Sequence, residues 1–336
     1  MGPNMKVLVL TVGDSEVAST RYRFGQFEAS LAEEGVWLSF CRADRFRDWD
    51  SLRAYDLVVV QKRLMRRSWV RRLRAASRCL IFDTDDAIWE PHERRHSWWT
   101  RVRTRARLRA IVGAADLCTV PNEHLAAYLR PMARRVEWVP MALDPTTWSP
   151  SQGTKSGKIR LGWAGAPANL IYLEKLNWVL GEVLAARPQV ELLVFCGEPP
   201  GVGLPPATLH HPFSPGSEPD VVRSFDIGLL PLPEDAFAAG KSPIKAIQYA
   251  ASGVACIASP VGATCELVID GVTGLTASSS EQWREALLRL IDEASLRLSL
   301  GQAARDRFLE FHTLRQAQGR LLGAWRMALS DRTADS

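Results

Sequence analysis

The stretch with the most chemical promise is Ala239 to Gly262, AGKSPIKAIQYAASGVACIASPVG. Ser242 is a favourable N-cap and Pro243 a favourable first helical residue, so a helix is expected to begin there. Ile244, Ile247 and Ala251 fall on one helical face, and Gly253 ends the helix. An exposed helix N-terminus presents unpaired N–H donors and partial positive charge. Lys241 and Lys245 add charge at the end where lysines are unfavourable unless an anion sits there, which argues for a phosphate site. The competing reading is two solvated lysines on a loop. A second group is Arg21 and Arg23, just past the first apolar run. Their guanidinium forks suit phosphate oxygens, and they also suit an ordinary surface pair. A third is FDTDD, with Asp83, Asp85 and Asp86 within four residues. Carboxylates so close repel one another and need a partner. They can suggest a divalent-metal site, or an N-cap with a salt-bridged neighbour. Gly165 and Ala166, in GWAGAP, form a tight turn after a strand.

These groups must be positioned by an alternation of strand and helix. KVLVLTV, WLSFC, YDLVVVQ, CLIFDTDD, DLCTVPN and RVEWVPMAL read as strands. Between them lie helical patterns, TRYRFGQFEASLAEEG ending at Gly35, RRHSWWTRVRTRARLRAIVGAA and EHLAAYLRPMA. Then DPTTWSPSQGTKSGK breaks the rhythm and reads as a linker. The rhythm restarts with IRLGWAG, VELLVFCG, ATLHHP, FDIGLLPLP, VACIASP and GLTAS. The expected fold is α/β, two Rossmann-like parallel-sheet domains facing a cleft, spanning 1–150 and 158–312. A last helix within 313–336, near Leu314 to Leu329, has no strand after it and is expected to cross back to the first domain.

The bulk numbers bound the class. No apolar run approaches the roughly 18–20 residues of a membrane span, and VLVLTV is too short for a signal peptide. The six cysteines form no CxxC pair and sit mostly in apolar runs, so they read as reduced, buried thiols of a cytoplasmic protein. Met1 to Ala110 holds 22 Lys+Arg against 14 Asp+Glu, or +8; the rest holds 20 against 23, or −3. A basic half implies an anionic partner. His210 and His211 precede Pro212 with poor metal-ligand spacing and read as a surface loop. Neither a Ser-His-Asp order nor a Walker loop is present.

The segment FDIGLLPLPEDAFAAGKSPIKAIQYAASGVACIASPVGATCELVIDGVTGL, followed by WREALLRLIDEASLRLSLGQAARDRF, resembles the carboxyl-terminal half of a GT-B glycosyltransferase of family 4, the glycosyl transferases group 1. ASTRYRFGQFEASLAEEG, FDTDDAIW, ADLCTVPNEHLAAYL and VEWVPMALD resemble the first half of one branch of that family. The resemblance implies a metal-independent hexosyltransferase with no bound cofactor. It would move a sugar from a nucleotide diphosphate sugar to the hydroxyl of a glycan, a lipid-linked sugar or a natural product, with retention. It implies that Lys241, Lys245 and the amides at Ser242 hold the diphosphate, that Gly165 and Ala166 lie near the base or phosphates, and that Arg21 or Arg23 assists from the opposite domain. Asp85 or Asp86 would work near the acceptor. Glu266 would touch the donor sugar or cap the next helix. Many members carry two glutamates eight positions apart, where this chain has Gly240 and Gln248. Gln248 can still reach ribose hydroxyls, and Glu234 or Asp235 could take part of the other role. The departure keeps a second reading open, a non-catalytic binding or partner subunit.

Between Lys62 and Arg109 lie the clusters QKRLMRRSWVRRLRAASR and RRHSWWTRVRTRARLRA. Arg101, Arg105 and Arg109 share a helical stripe that follows Arg94, Arg95, Trp98 and Trp99. This is the pattern of peripheral contact with an anionic membrane, here the inner face, or of a solvated arginine-rich helix. No nucleic-acid-binding motif accompanies it.

Overall fold

The computed structural model describes residues 4–91, 97–151 and 157–334. Contacts divide the chain into two compact units: Met1–Met141 with Ala239–Ser242 and Leu314–Ser336, and Ala142–Ala238 with Pro243–Thr313. Among the described residues each unit is built on one six-stranded sheet whose pairings are all parallel.

The first sheet consists of β1 (Met5–Thr11), β2 (Val36–Arg42), β3 (Leu57–Gln61), β4 (Cys79–Asp83), β5 (Leu117–Val120) and β6 (Val136–Trp138). Its order is β2-β1-β3-β4-β5-β6, so the winding reverses between β1 and β3. Val58, Val60, Leu80, Phe82 and Val120 lie in a core closed by Val70 and Leu73 of the Arg67–Ala76 helix and by Leu108, Ile111 and Val112 of the Trp98–Ala114 helix. Strands covered on both faces read as continuous apolar runs, as β3 and β4 do. The segment expected as one helix ending at Gly35 is broken into Ala18–Arg23, a 3₁₀ turn at Gly25–Phe27, and Glu28–Glu33. Phe24, fully buried, stacks on Trp325 of the Leu314–Ala334 helix, with centroids 6.4 Å apart.

The second sheet holds β7 (Ile159–Ala164), β8 (Val190–Cys196), β9 (Leu209–Pro212), β10 (Ile227–Leu230), β11 (Ala255–Ala258) and β12 (Leu275–Thr276), in the order β12-β11-β10-β7-β8-β9. Its winding reverses between β7 and β10. There the Tyr249 hydroxyl donates to Leu229 O at 3.3 Å and accepts from Ala164 N at 3.2 Å, joining the two strands. His210 and His211 belong to β9, not to a surface loop, and His210 Nε2 lies 3.0 Å from Cys196 O. The expected linker is packed over its first part. Trp148 is buried, Arg305 donates to the carbonyls of Trp148 and Pro145, and Arg223 donates to those of Thr147 and Ser149. An indole can be buried in a Pro/Ser-rich stretch when arginines satisfy the carbonyls around it. The six cysteines are unpaired; four are buried, Cys41 is half-buried and Cys265 exposed.

The second core leaves no room at Gly162 of β7. A Cβ there would lie 2.0 Å from the Phe225 ring. Gly162→Ala is therefore expected to destabilise by about 2 kcal/mol or more through overpacking. A thermal melt checks this, and an unchanged Tm would refute the tight fit.

Candidate functional site

In a doubly wound sheet the crevice beyond the carboxyl ends of the strands, where the winding reverses, is the natural place for a ligand. In the first unit that point lies beyond β1 and β3. The loop after β1 is pinned to Gln61, the last residue of β3. Gln61 Oε1 accepts from Val12 N and Thr20 Oγ1, each at 3.3 Å, and Gln61 Nε2 donates to Ser19 O at 2.8 Å. Lys62 follows with φ of 51°, the one positive φ among the described non-glycine residues. A side chain at such an angle is strained and persists only where its surroundings hold it. Here they do. Lys62 N donates to Asp83 O at 2.7 Å, and its ammonium donates to Asp86 Oδ2 and to Ser19 Oγ at 3.2 Å. It also lies 3.1 Å from Asp85 Oδ1, close enough for attraction but not aligned as a hydrogen bond. Ser19 Oγ donates to Asp85 Oδ2 at 2.7 Å.

Three chain segments thus converge on one cluster of Ser19, Lys62, Asp85 and Asp86. Burial works against charge throughout it. Lys62 is nevertheless held above its ordinary pKa, because the attraction of Asp85 and Asp86 outweighs the burial. Asp85, although buried, is held below the usual carboxylate range by Lys62, Ser19 and Arg23. Burial, with the like charge of Asp85, pushes Asp86 up. Two adjacent carboxylates pushed in opposite directions make a pair in which Asp85 gives up its proton more readily, and Asp86 holds one more firmly, than an ordinary aspartate.

Asp83 is fully buried, and its role explains why Arg23 is not the phosphate clamp the sequence suggested. Arg23 is 3% exposed. Its Nε and Nη2 donate to the two Asp83 oxygens at 3.2 and 2.5 Å, and its Nη1 donates to Val139 O at 2.7 Å. Asp83 Oδ1 also accepts from Thr119 Oγ1 at 2.6 Å. A guanidinium enclosed in this way is not available to a ligand. Arg21 is half-buried. It donates to Glu16 O at 3.3 Å and lines a cavity of about 520 Å³ beyond β1 and β2, with Thr11, Gly13, Thr20, Phe40 and Arg42.

The opening stretch departs from expectation at its helix start. The helix runs Ile244–Ala251; Pro243 is its N-cap, and no side chain caps it. Ser242 is therefore neither the N-cap nor within the first turn. Gly253, at φ 65°, ends the helix as expected. Lys241 belongs to the first unit, and its charge bears on Asp86. Gly240 is buried in that unit, and a Cβ there would lie 2.5 Å from Ala87 Cβ. This close approach leaves no room for the glutamate that the resemblance leads one to expect at this position. Asp235 caps the next residues, accepting from Ala238 N at 2.7 Å.

Lys245 lies in the second unit, as does Gln248. Lys245 Nζ donates to Glu218 Oε1 at 2.8 Å, and Gln248 Nε2 donates to the same oxygen at 2.9 Å. Glu218 is 1% exposed. Its carboxylate therefore stands where a second acid at 248 would be repelled, and a neutral amide is the compatible partner. Gly165 sits at the end of β7, where a Cβ would lie 2.4 Å from the Trp163 ring; Ala166 beside it is exposed. Glu266 is exposed in the short Thr264–Leu267 helix. Sequence reasoning missed Ser19, Lys62 and Glu218. Only the demand of FDTDD for a counter-cation hinted at a lysine. Among the described residues no three His, Cys, Asp or Glu are grouped to hold a metal ion, and no helix is long and apolar enough to cross a membrane.

Residues 173–293 match the family model described as glycosyl transferases group 1. D-inositol 3-phosphate glycosyltransferase of Corynebacterium aurimucosum is 29% identical over 148 residues, covering 39% of this chain. That match spans only 34% of the relative's length. The fold is GT-B. Sucrose-phosphate synthase from Thermosynechococcus elongatus is similar over 97% of this chain and 100% of that one, with a TM-score of 0.77 at 14% identity. HepE from Anabaena, solved in complex with UDP and glucose, is similar over 96% and 100%, with a TM-score of 0.67 at 14% identity. At these identities the likeness establishes the fold alone.

Two outcomes test the local geometry. Lys62→Met leaves two buried like charges facing each other and is expected to cost about 3 kcal/mol in a denaturant titration near neutral pH. The lowered Asp85 carboxyl contributes stability above about pH 4, the unfolded value, and loses it as pH falls through the folded one. The gap between parent and variant should therefore narrow in acid; a constant gap would count against the pairing. Gln248→Glu should lower Tm by several degrees, and adding Glu218→Gln should restore most of the loss. Additive losses in the double variant would show that the two positions do not share one carboxylate.

Proposed function

We propose that this chain is a glycosyltransferase that moves a hexosyl group from a nucleotide diphosphate sugar to an acceptor hydroxyl without a bound metal and with retention at the anomeric carbon. The observation that carries the reading is the family match over 173–293, which includes the whole Lys241–Lys245 stretch. HepE bound to UDP and glucose lends support for the class of donor. Lys241, with Lys245 and the backbone around Ser242, would neutralise the diphosphate as it leaves. Preorganised positive charge is the main requirement of that step. Gly165 and Ala166 would lie along the donor, Gln248 would contact its ribose, and Glu266 its sugar. Asp85 and Asp86 would serve the acceptor. In the cluster described above, Asp86 is the one suited to take the hydroxyl proton and Asp85 the one suited to hold it in place. Of the two arginines only Arg21 remains a ligand-side candidate, and the cavity it lines is a fitting place for a glycan, lipid-linked or small natural-product acceptor.

One observation favours a second reading, a non-catalytic binding or partner subunit. Lys245 is already engaged by Glu218, and the positions of the two family glutamates hold Gly240 and Gln248.

Isothermal titration of UDP, GDP, dTDP and ADP into the parent and into Lys241→Ala separates these readings. One diphosphate is expected to bind, with the variant weakened by at least roughly tenfold for a lost charge-assisted contact. Absence of binding by all four would overturn the donor site. Binding without turnover of the matching nucleotide sugars, tested by diphosphate release across an acceptor panel, would favour the non-catalytic subunit.

A further inference from the structure

The Trp98–Ala114 helix carries two faces, and the fold uses only one. Leu108, Ile111 and Val112 are buried against the first sheet, all in the carboxyl-terminal half of the helix. Its first turns stand in solvent. Trp98 is 64% exposed, Trp99 74% and Val102 45%. The two indoles touch each other edge to face, with centroids 4.4 Å apart. Trp98 and Val102 lie one turn apart with Trp99 beside them, so the three form a short apolar stripe on the solvent side. Exposed Arg101, Arg105 and Arg109 run along one flank of the stripe, and Arg103 stands on the other. The neighbouring Arg67–Ala76 helix, which packs against this one, adds exposed Arg67 and Arg71. Neither helix contains an acidic residue. Among the described residues none of these six arginines is ion-paired.

We infer that this face is a peripheral docking surface for an anionic phospholipid bilayer, with the Trp98–Trp99 pair entering the headgroup layer and the arginines meeting lipid phosphates. Indoles combine an apolar body with one N–H donor, which suits the headgroup boundary, and flanking arginines can keep their charge at the phosphates while their stems lie along the apolar layer. A stripe of three side chains is too small for the core of a specific protein interface, which buries about 800 Å² per partner. It is large enough for interfacial insertion supported by basic charge. The surface is independent of the glycosyl-transfer reading, because none of its residues is assigned to donor or acceptor.

The test is co-sedimentation of the full chain with phosphatidylcholine vesicles, with and without phosphatidylglycerol. The chain should pellet with the anionic vesicles only, its tryptophan emission should shift to the blue, and added salt should release it. A Trp98→Ala/Trp99→Ala variant should bind at least roughly tenfold more weakly. An Arg101→Gln/Arg105→Gln/Arg109→Gln variant should bind more weakly and lose most of the salt dependence. All substituted side chains are exposed, and an unchanged circular-dichroism melt will show that both variants fold. The inference is overturned if the parent ignores anionic vesicles, or if both variants bind like the parent. It is also overturned if a mixed-sequence oligonucleotide displaces the chain from vesicles at lower concentration than soluble phosphatidylglycerol headgroup, which would make the face a nucleic-acid surface.

Discussion

The buried Arg23–Asp83 pair is the constraint on which the first unit depends. A carboxylate at the end of a central strand, with no access to water, is tolerable only if each of its oxygens finds a donor. Arg23 supplies two of those donors and Thr119 another. The remaining arm of Arg23 reaches Val139 O, just beyond β6. One ion pair thereby ties the first helix to β4, β5 and the chain after β6. Removing either partner would leave an uncompensated buried charge, so the register of four elements rests on it.

The candidate cluster follows from this arrangement. With Asp83 turned inward and satisfied, the chain leaves β4 with Asp85 and Asp86 on the same side as Lys62, which leaves β3. The parallel pairing of β3 with β4 sets Gln61 opposite Asp83 and so brings the next residues of both strands together. The left-handed turn at Lys62 directs its ammonium into that space. Ser19 enters because Gln61 anchors the loop after β1. Neighbouring carboxylates then differ in proton affinity because one has a hydroxyl donor and the other bears the repulsion of the first.

In the second unit the same physics settles a substitution rather than a cluster. A buried oxygen of Glu218 accepts from both Lys245 and Gln248. An amide at 248 adds a donor where a carboxylate would add repulsion. Gly240, in the first unit, is held by steric contact with Ala87. Gly240 and Gln248, where the resemblance leads one to expect glutamates, are thus each accounted for by a neighbour distant in sequence.

The sequence by itself determined the two parallel sheets, because apolar runs such as LVVVQ and CLIFD, spaced by helical patterns, fit only strands buried on both faces. It also pointed to the carboxylates after β4 and to the exposed, arginine-rich helix, since both are written in contiguous residues. The tertiary structure alone decided the rest. Which of three aspartates is structural, that Arg23 faces inward, that Lys62 is the counter-ion, and that Glu218 occupies the place of a second acid all depend on partners 24 to 60 residues away. Composition and periodicity record how much of a side chain is hidden, but the identity of a buried charge's partner is fixed only when the strands that carry them are laid side by side.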